Sequence, residues 1–460
     1  MVKEQTTKIG LEIHGYLLTK EKLFCNCKAI RHATKQEIKP NTNICPICSG
    51  QPGNKPMLPN AEAIKKILQI ALMFNCEINK KITWQRKHYN WPDLPKGYQD
   101  TISGAYAIPN AINGSFHGIR IREVHLEEDP AAWNPETGYI DYNRSGLALV
   151  EIVTEPDFKN AEQVENWLKN LILTLSYIHA LDKNAGIKTD VNVSTEKTNF
   201  KERVEIKNMS SIESIKKAIE YEIERQAKEQ VLRETRRFDE KTGKTIRMRS
   251  KEEVEDYRFI PEPDLPIIKI TEKEIEKLKK ELPETPEEKL AKLVKKHKID
   301  KKQAEILHKN FELVEFFEKV AEKISPDFAL PWIIIELLRV LNYNKKALDE
   351  VSIKPEHFIE LLEAVKNNHL TELKTKQILN EFIPNSFSIK TRIKKEGMID
   401  DKKEIGEIIK NVLEKNPKAI EDYKQGKKEA LNFLLGEVMK LSNKRADFHI
   451  AREMLVKMMK

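Results

Sequence analysis

No stretch of this 460-residue chain holds the roughly 18 to 20 consecutive apolar residues that a membrane-spanning helix needs, which excludes a span of that kind. Met1 to Ile9 is charged rather than apolar, so no secretory leader is read there and a soluble cytoplasmic protein is expected. The chain has no internal repeat, no low-complexity tract and no glycine-rich Walker loop. If ATP binds, it does not bind in the P-loop manner. Charge of one sign is also in short supply. Lysine and arginine number 80 against 72 acids, and the excess of +8 permits an RNA partner without requiring one. Asp401 to Lys460 holds 14 basic residues against 10 acidic ones, so this short stretch is where phosphate contacts are to be sought.

Cysteine is scarce too, five residues in all, yet four of them cluster as Cys25-x-Cys27 and Cys45-Pro-Ile-Cys48, with Cys76 alone. In a reducing compartment such clustering favours a metal over disulfides. Two close pairs of thiolates suit tetrahedral Zn²⁺, and four protein ligands leave no position open for water. The expected role is structural, with reduced and unligated cysteines as the alternative.

From Ile9 to about Pro266, short β-branched runs alternate with Gly, Pro and Asn punctuation, the pattern of a mixed sheet with helices. Strands are expected around Lys8–Leu18, Gly118–His125, Ala148–Val153, Thr189–Ser194 and Arg203–Lys207, and helices at Ala61–Phe74 and Ala161–Ala180. Beyond Leu265-Pro266, Lys/Glu-rich helical periodicity takes over. The fold class read from this is α+β, divided into a sheet-bearing domain over 1–285, an all-α domain over 286–395 and a small helical tail over 396–460. In the tail, Ala430, Phe433, Leu434, Val438 and Leu441 mark one apolar stripe and Ile450, Met454 and Met458 another.

Alternation within strands locates the chemistry. Ile9, Leu11 and Ile13 share one face of their strand, which puts Glu12 and His14 together on the other. An acid beside an imidazole suits a metal or a general base, and a solvated strand face is the plainer alternative. Glu127, Glu128 and Asp129 follow an alternating strand; adjacent acids repel unless a cation neutralises them, so this is a candidate Mg²⁺ site or an exposed acidic turn. Glu151, Asp190, Asn192, Glu205 and Lys207 are polar residues inside apolar strands, where burying a carboxylate demands a partner. The loop Lys87 to Gln99 mixes cations, aromatics and amides; its Tyr89, Lys96 and Tyr98 are candidate substrate contacts, or anchors of a packed loop.

Taken in order, these segments resemble the B-subunit family of the tRNA-dependent amidotransferases over nearly the whole chain. The resemblance is carried by Gly10-Leu-Glu-Ile-His14, Cys45-Pro-Ile-Cys48, Trp91-Pro-Asp-Leu-Pro-Lys-Gly-Tyr-Gln99, His125-Leu-Glu-Glu-Asp129, Asp141-Tyr-Asn-Arg144, Glu151-Ile-Val-Thr-Glu-Pro-Asp157, Asp190-Val-Asn-Val-Ser194, Val204-Glu-Ile-Lys-Asn208, Met248-Arg-Ser-Lys251 and Pro261-Glu-Pro-Asp-Leu-Pro266. It implies a catalytic cradle of antiparallel sheet and helices, then a helical domain, then a tail. It implies that ATP phosphorylates the side-chain carboxylate of glutamyl-tRNA(Gln) or aspartyl-tRNA(Asn), and that ammonia from glutamine displaces the phosphate. That ammonia would come from a glutaminase A subunit, since no Ser/Lys amidase signature stands in this sequence, and a small C subunit would clasp the pair. By matching motif, Glu12, His14, Glu128 and Glu151 would hold Mg²⁺, while Lys87, Glu127 and Glu205 would line the ammonia exit and acceptor pocket. The tail residues Lys427, Lys428, Lys440, Lys444 and Arg445 would grip the tRNA body, with RNA rather than DNA or membrane as the partner. The chain departs from the family pattern at Gly15-Tyr16 and at Pro130-Ala-Ala-Trp133, the latter bearing on the metal site downstream of Asp129, and the absence of Gly-Thr-Arg within Thr195 to Lys201 resembles a divergent member of archaeal type. A related subunit that serves glutamate alone carries a large insertion for which this length leaves no room. A non-catalytic scaffold would not gather Glu127, Glu128 and Asp129 without a metal.

Overall fold

The computed structural model describes residues 6–30, 38–181, 186–198, 200–250 and 257–459. Most of the charged Met1 to Ile9 segment, Asn199 within Thr195 to Lys201, and Lys251, the last residue of the Met248-Arg-Ser-Lys251 segment, therefore lie outside the described residues. The chain divides into two compact units, Met1–Pro286 and Glu287–Lys460.

The first unit is built on a sheet of twelve strands among the described residues. From one edge its order is Lys244–Ser250, Glu234–Asp239, Val204–Met209, Ile187–Thr195, Thr7–Tyr16, Ala148–Thr154, Ile119–Glu128, Gln99–Thr101, Gln85–His88 and Arg258–Pro261. Ala111–Phe116 also pairs with Ile119–Glu128 and carries Glu77–Ile78. These pairings are antiparallel except that of Val204–Met209 with Glu234–Asp239, which are joined through the helix Ile212–Lys228 as a parallel crossover requires. The N-terminal strand is thus an interior one, paired with Ala148–Thr154 on one side and Ile187–Thr195 on the other.

Three helices, Ala61–Met73, Ala161–Tyr177 and Ile212–Lys228, lie against one face of this sheet. Each begins where the sequence supplies a cap: Asn60, Asn160 and Ser211 accept hydrogen bonds from the first-turn amides. Between helices and sheet lie Ile9, Leu11, Ile13, Val124, Leu126, Val150, Ile152, Val191, Val193, Val204 and Ile206 from the strands, with Ile67, Trp167, Leu171 and Ile219 from the helices, all buried. Each such aliphatic side chain stabilises by about 1.5–3 kcal/mol. Because every second residue of a strand enters this core, the intervening residues are committed to the opposite face.

One expectation shifts here. The Ile119–Glu128 strand runs through Glu127 and Glu128 rather than ending before them, so these two acids cannot share a face.

The second unit is helical and has two separate apolar cores. One runs from Leu293 to Ile389 and includes Phe317, Ile333, Phe358 and Phe382; the other runs from Ile399 to Met459. In the latter, Leu434 and Val438 are buried as the first stripe requires, but Phe433 and Leu441 are exposed. The last helix, Phe448–Met459, buries Ala451, Leu455 and Met459 rather than Met458. Ile450 and Met454 of the expected stripe are partly buried against the same core while Met458 is exposed, so the stripe's centre lies one position along, at 451–455–459.

Candidate active site and metal centre

With Ile9, Leu11 and Ile13 in the core, Glu12, His14 and Tyr16 stand on the face away from the helices. Strand register extends that row. Lys188, His14, Glu151 and His125 are opposite one another across four strands, and the adjacent row reads Asp190, Glu12, Val153 and Glu123. One row further, Glu127 faces Leu149, which faces Tyr16. His14 Nε2 lies 3.4 Å from Glu151 Oε2, 3.8 Å from Glu127 Oε1 and 3.9 Å from Glu12 Oε1. His125 is fully buried, with Nε2 at 2.8 Å from Glu151 Oε2 and Nδ1 at 3.3 Å from Glu123 Oε1.

The electrostatics of the row follow from burial and mutual repulsion. Burial and the neighbouring Glu151 charge raise Glu12 to about 8, and the same two causes raise Glu127. Burial would lower His14, but its hydrogen bond to Glu151 and the surrounding carboxylates outweigh that and raise it to about 9. His125 rises to about 10, its burial overcome by Glu151 and Glu123. Glu151 falls well below the usual range despite burial, because both imidazoles attend it. Two sets of donors, Glu12/His14/Glu151 and His125/Glu127/Glu151, each gather within 4.8 Å and share Glu151. Without a metal the two imidazoles supply the charge that offsets these acids. The same close-set oxygen and imidazole donors also fit a hard divalent cation, which would take over that role.

Glu128 is not among them. It points to the other side of its strand, where Oε1 lies 2.6 Å from Lys96 Nζ and accepts the Asp100 amide at 2.9 Å. Lys96 also pairs with Asp100, so this lysine is held internally by two acids instead of facing a substrate. Tyr98 is stacked beneath Arg86, 4.2 Å from the ring centre, with Lys96 at 4.8 Å. Tyr89 is half-buried, its phenol raised by burial and by Asp93 and Glu127, and its ring meets Tyr257 at 5.8 Å. Lys87 Nζ sits 4.8 Å from the Tyr257 ring centre and its charge acts on Glu127. On the other flank, Lys207 bridges Asp190 at 2.7 Å and Glu205 at 2.8 Å. Asn192 is paired across strands with Glu205, and its Oδ1 is buried without a hydrogen-bond partner among the described residues.

His125, Glu123, Tyr16 and Arg144 belong to this neighbourhood although the sequence reading assigned them no role. For the first two the signal was present: residues 127, 125 and 123 alternate onto one face. Tyr16 and Arg144 act at a distance in sequence. The Tyr16 hydroxyl donates to Asp129 Oδ2 at 2.7 Å, and Arg144 Nε meets the same carboxylate at 3.1 Å.

The cysteines form a second centre. Cys45 and Cys48 sulfurs are 3.8 Å apart and Cys48 and Cys27 4.0 Å, with all four sulfurs within 4.8 Å. Tetrahedral zinc with ligand distances of about 2.3 Å sets sulfurs about 3.8 Å apart, so the donor set fits. Burial and the Cys48 charge raise Cys27 to about 11, whereas Cys48, accepting from Cys25 and facing the Lys22 ammonium, falls to about 4.

In the tail, Lys427, Lys428, Lys440 and Lys444 have exposed side chains. Lys427 pairs with Asp422 at 2.7 Å and Lys440 reaches Glu437 at 3.4 Å. Arg445 is half-buried, and its Nε donates to the Gly397 carbonyl at 2.9 Å, which anchors the side chain to its own chain.

Residues 7–276 match the family described as the GatB/GatE catalytic domain, and residues 315–459 match the GatB domain. The chain is 43% identical over 448 residues to the B subunit of the aspartyl/glutamyl-tRNA(Asn/Gln) amidotransferase of Methanothermobacter thermautotrophicus, covering 96% of this chain and 97% of that one. It is 41% identical over 461 residues to the corresponding B subunit from Methanopyrus kandleri, with 97% of each chain covered. Against the Methanocaldococcus jannaschii counterpart it is 41% identical over 457 residues, covering 96% of this chain and 95% of that one.

Proposed function

This chain belongs to the GatB family, and from that membership we propose that it acts as the B subunit of a tRNA-dependent amidotransferase, a ligase that makes glutaminyl-tRNA(Gln) and asparaginyl-tRNA(Asn). The side-chain carboxylate of the misacylated tRNA attacks the γ-phosphorus of ATP and ADP leaves. Ammonia then attacks the activated carbonyl carbon and phosphate leaves. The observation that carries this reading is the row of Glu12, His14, Glu151, His125 and Glu127 on the sheet face away from the three helices of the matched catalytic domain.

Phosphoryl transfer needs positioning and charge more than covalent chemistry, so an acid-rich face without a P-loop suffices. Bound Mg²⁺ would neutralise charge on the phosphoryl oxygens. Glu12, His14 and Glu151 would hold it, with Glu127 and His125 beside them. Glu123 lies 3.3 Å from His125 Nδ1 as an ionic neighbour, and the ring's Nε2, 2.8 Å from Glu151, orients that carboxylate. Lys87 and Tyr89, near Glu127, would meet the acceptor end and the incoming ammonia, and Asn192 Oδ1 offers a desolvated acceptor to a substrate donor. Glu205 and Asp190 hold Lys207 on the same face. The four cysteines would hold structural Zn²⁺.

The partners implied are a glutaminase A subunit, a C subunit and the two misacylated tRNAs, in the cytoplasm. The two cores of the second unit would correspond to a helical domain over 286–395 and a tRNA-gripping tail over 396–460. The test is ATP turnover by the assembled complex with glutamyl-tRNA(Gln), with uncharged tRNA and with free glutamate. Turnover that requires the misacylated tRNA supports the proposal, and equal turnover on free glutamate overturns it.

A further inference from the structure

We infer that Lys22 and the cysteine knuckle it grips form a strut that positions the acidic end of the catalytic face, linking the metal at Cys48 to the two loops that hold Glu128 and Asp129. The inference rests on the zinc reading of the four thiols. Lys22 is 1% exposed, and an ammonium so buried costs free energy unless charge and hydrogen bonds compensate it. Among the described residues its Nζ has three partners: the Asn43 carbonyl at 3.1 Å, the Tyr142 carbonyl at 3.3 Å and Cys48 Sγ at 3.4 Å. The first two are neutral. The compensating charge therefore lies on the sulfur side, and Zn²⁺ ringed by four thiolates carries a net double negative charge. Lys22 is placed as the counter-ion of that centre, in the position from which outer partners tune metal sites.

The same amine ties the knuckle to the segment that follows Tyr142, and other bonds reinforce the tie. Ser145 Oγ donates to the Cys48 carbonyl at 2.7 Å, and the Leu23 amide donates to the Gly146 carbonyl at 2.8 Å. That segment in turn grips Asp129. The Gly146 amide donates to the Asp129 carbonyl at 2.9 Å, the Asp129 amide donates to the Leu147 carbonyl at 2.8 Å, and Arg144 meets the Asp129 carboxylate at 3.1 Å. A second arm runs through Gly50, whose φ is +68° and where an added Cβ would stand 2.1 Å from the Pro95 carbonyl oxygen. The knuckle thus packs directly on the backbone that leads into Lys96, the residue that holds Glu128 and Asp100. Glu127, beside His14, is the residue next to Glu128 on that strand end.

The experiment uses the full chain in its complex, as wild type and as K22M, K22Q and S145A. Zinc is measured by elemental analysis and by competition with a chelator, and amidation as kcat and KM with zinc in excess. Wild type is expected to hold one zinc per chain, and K22M to bind it about 10- to 100-fold more weakly. With zinc restored, K22M and S145A should lose kcat severalfold with little change in KM for the tRNA, because the loops that hold Glu128 and Asp129 loosen while the tRNA contacts remain. K22Q keeps an N–H donor group, on a side chain one atom shorter, but lacks the charge, so it too must weaken zinc, which keeps the inference testable should K22M not fold. Wild type without zinc would overturn the zinc reading itself. Wild-type zinc affinity in K22M or K22Q, with zinc present in the wild type, would overturn the strut alone.

Discussion

The His125 imidazole holds the Glu151 carboxylate at 2.8 Å from within the sheet, where the ring has no access to solvent. Glu151 is the one acid of the row driven well below its ordinary range, and it belongs to both candidate cation sets. Glu151→Gln should lower amidation by on the order of 10²-fold and raise the Mg²⁺ concentration needed for half activity, with tRNA affinity kept. A Mg²⁺ titration of rate beside a tRNA-binding isotherm checks this. Loss of tRNA binding in proportion to rate would remove Glu151 from the metal role.

Glu127 and Glu128 are neighbours with opposite expected phenotypes. Glu127→Gln should cost activity at least tenfold yet leave stability level or raised in Mg²⁺-free buffer. The reason is that burial raises the Glu127 pKa, so its ionised form opposes folding above that pKa and a neutral amide relieves the penalty. Glu128→Gln breaks a buried pair, leaves Lys96 with Asp100 alone, and should destabilise by about 2–4 kcal/mol. Paired thermal melts and rates separate the two.

Chelation of zinc, or Cys45→Ser, should unfold the first unit rather than remove chemistry selectively, because structural zinc contributes on the order of 10 kcal/mol to small domains that bind it. Cys76→Ser, outside the cluster, should retain zinc. The pH dependence has a definite sign. Cys25 and Cys27 are held above the ordinary thiol range, Cys27 at about 11, so binding expels protons and zinc affinity must fall as pH falls. Chelator competition at pH 6 and pH 8 checks it.

The tail basic residues should divide in two. K428E with K440E, both exposed, should weaken tRNA binding and reduce the slope of log affinity against log salt by about 2. Arg445→Ala should leave that slope alone and cost about 1 kcal/mol of stability, since it removes the bond to Gly397. An unchanged slope in the double variant would show that these lysines do not meet phosphate.

What could be read beforehand was whatever repeats at short range. Alternation at Ile9, Leu11 and Ile13 placed Glu12 and His14 correctly on one face, and the paired cysteine spacings brought four sulfurs together. The same rule applied to Glu127 and Glu128 separates them, once the strand is extended to its end. Lys96 illustrates what no local pattern reveals, because its holder Glu128 comes from another strand and turns a candidate substrate contact into an internal ion pair. Arg445 and Tyr16 are fixed by Gly397 and Asp129, partners far away in sequence that only the folded chain supplies.

The interior position of the Thr7–Tyr16 strand bears on synthesis. This strand leaves the ribosome well before either of its partners, and Glu12 meets its neighbours only when Val153 and Asp190 have been made. At about 5–20 residues per second, that leaves an apolar strand with both edges unpaired for on the order of 10–30 s. During translation it is an open template for another chain, and Glu12 and His14, the groups that would later serve catalysis, are the interruptions that keep its sequence from being a continuous sticky run.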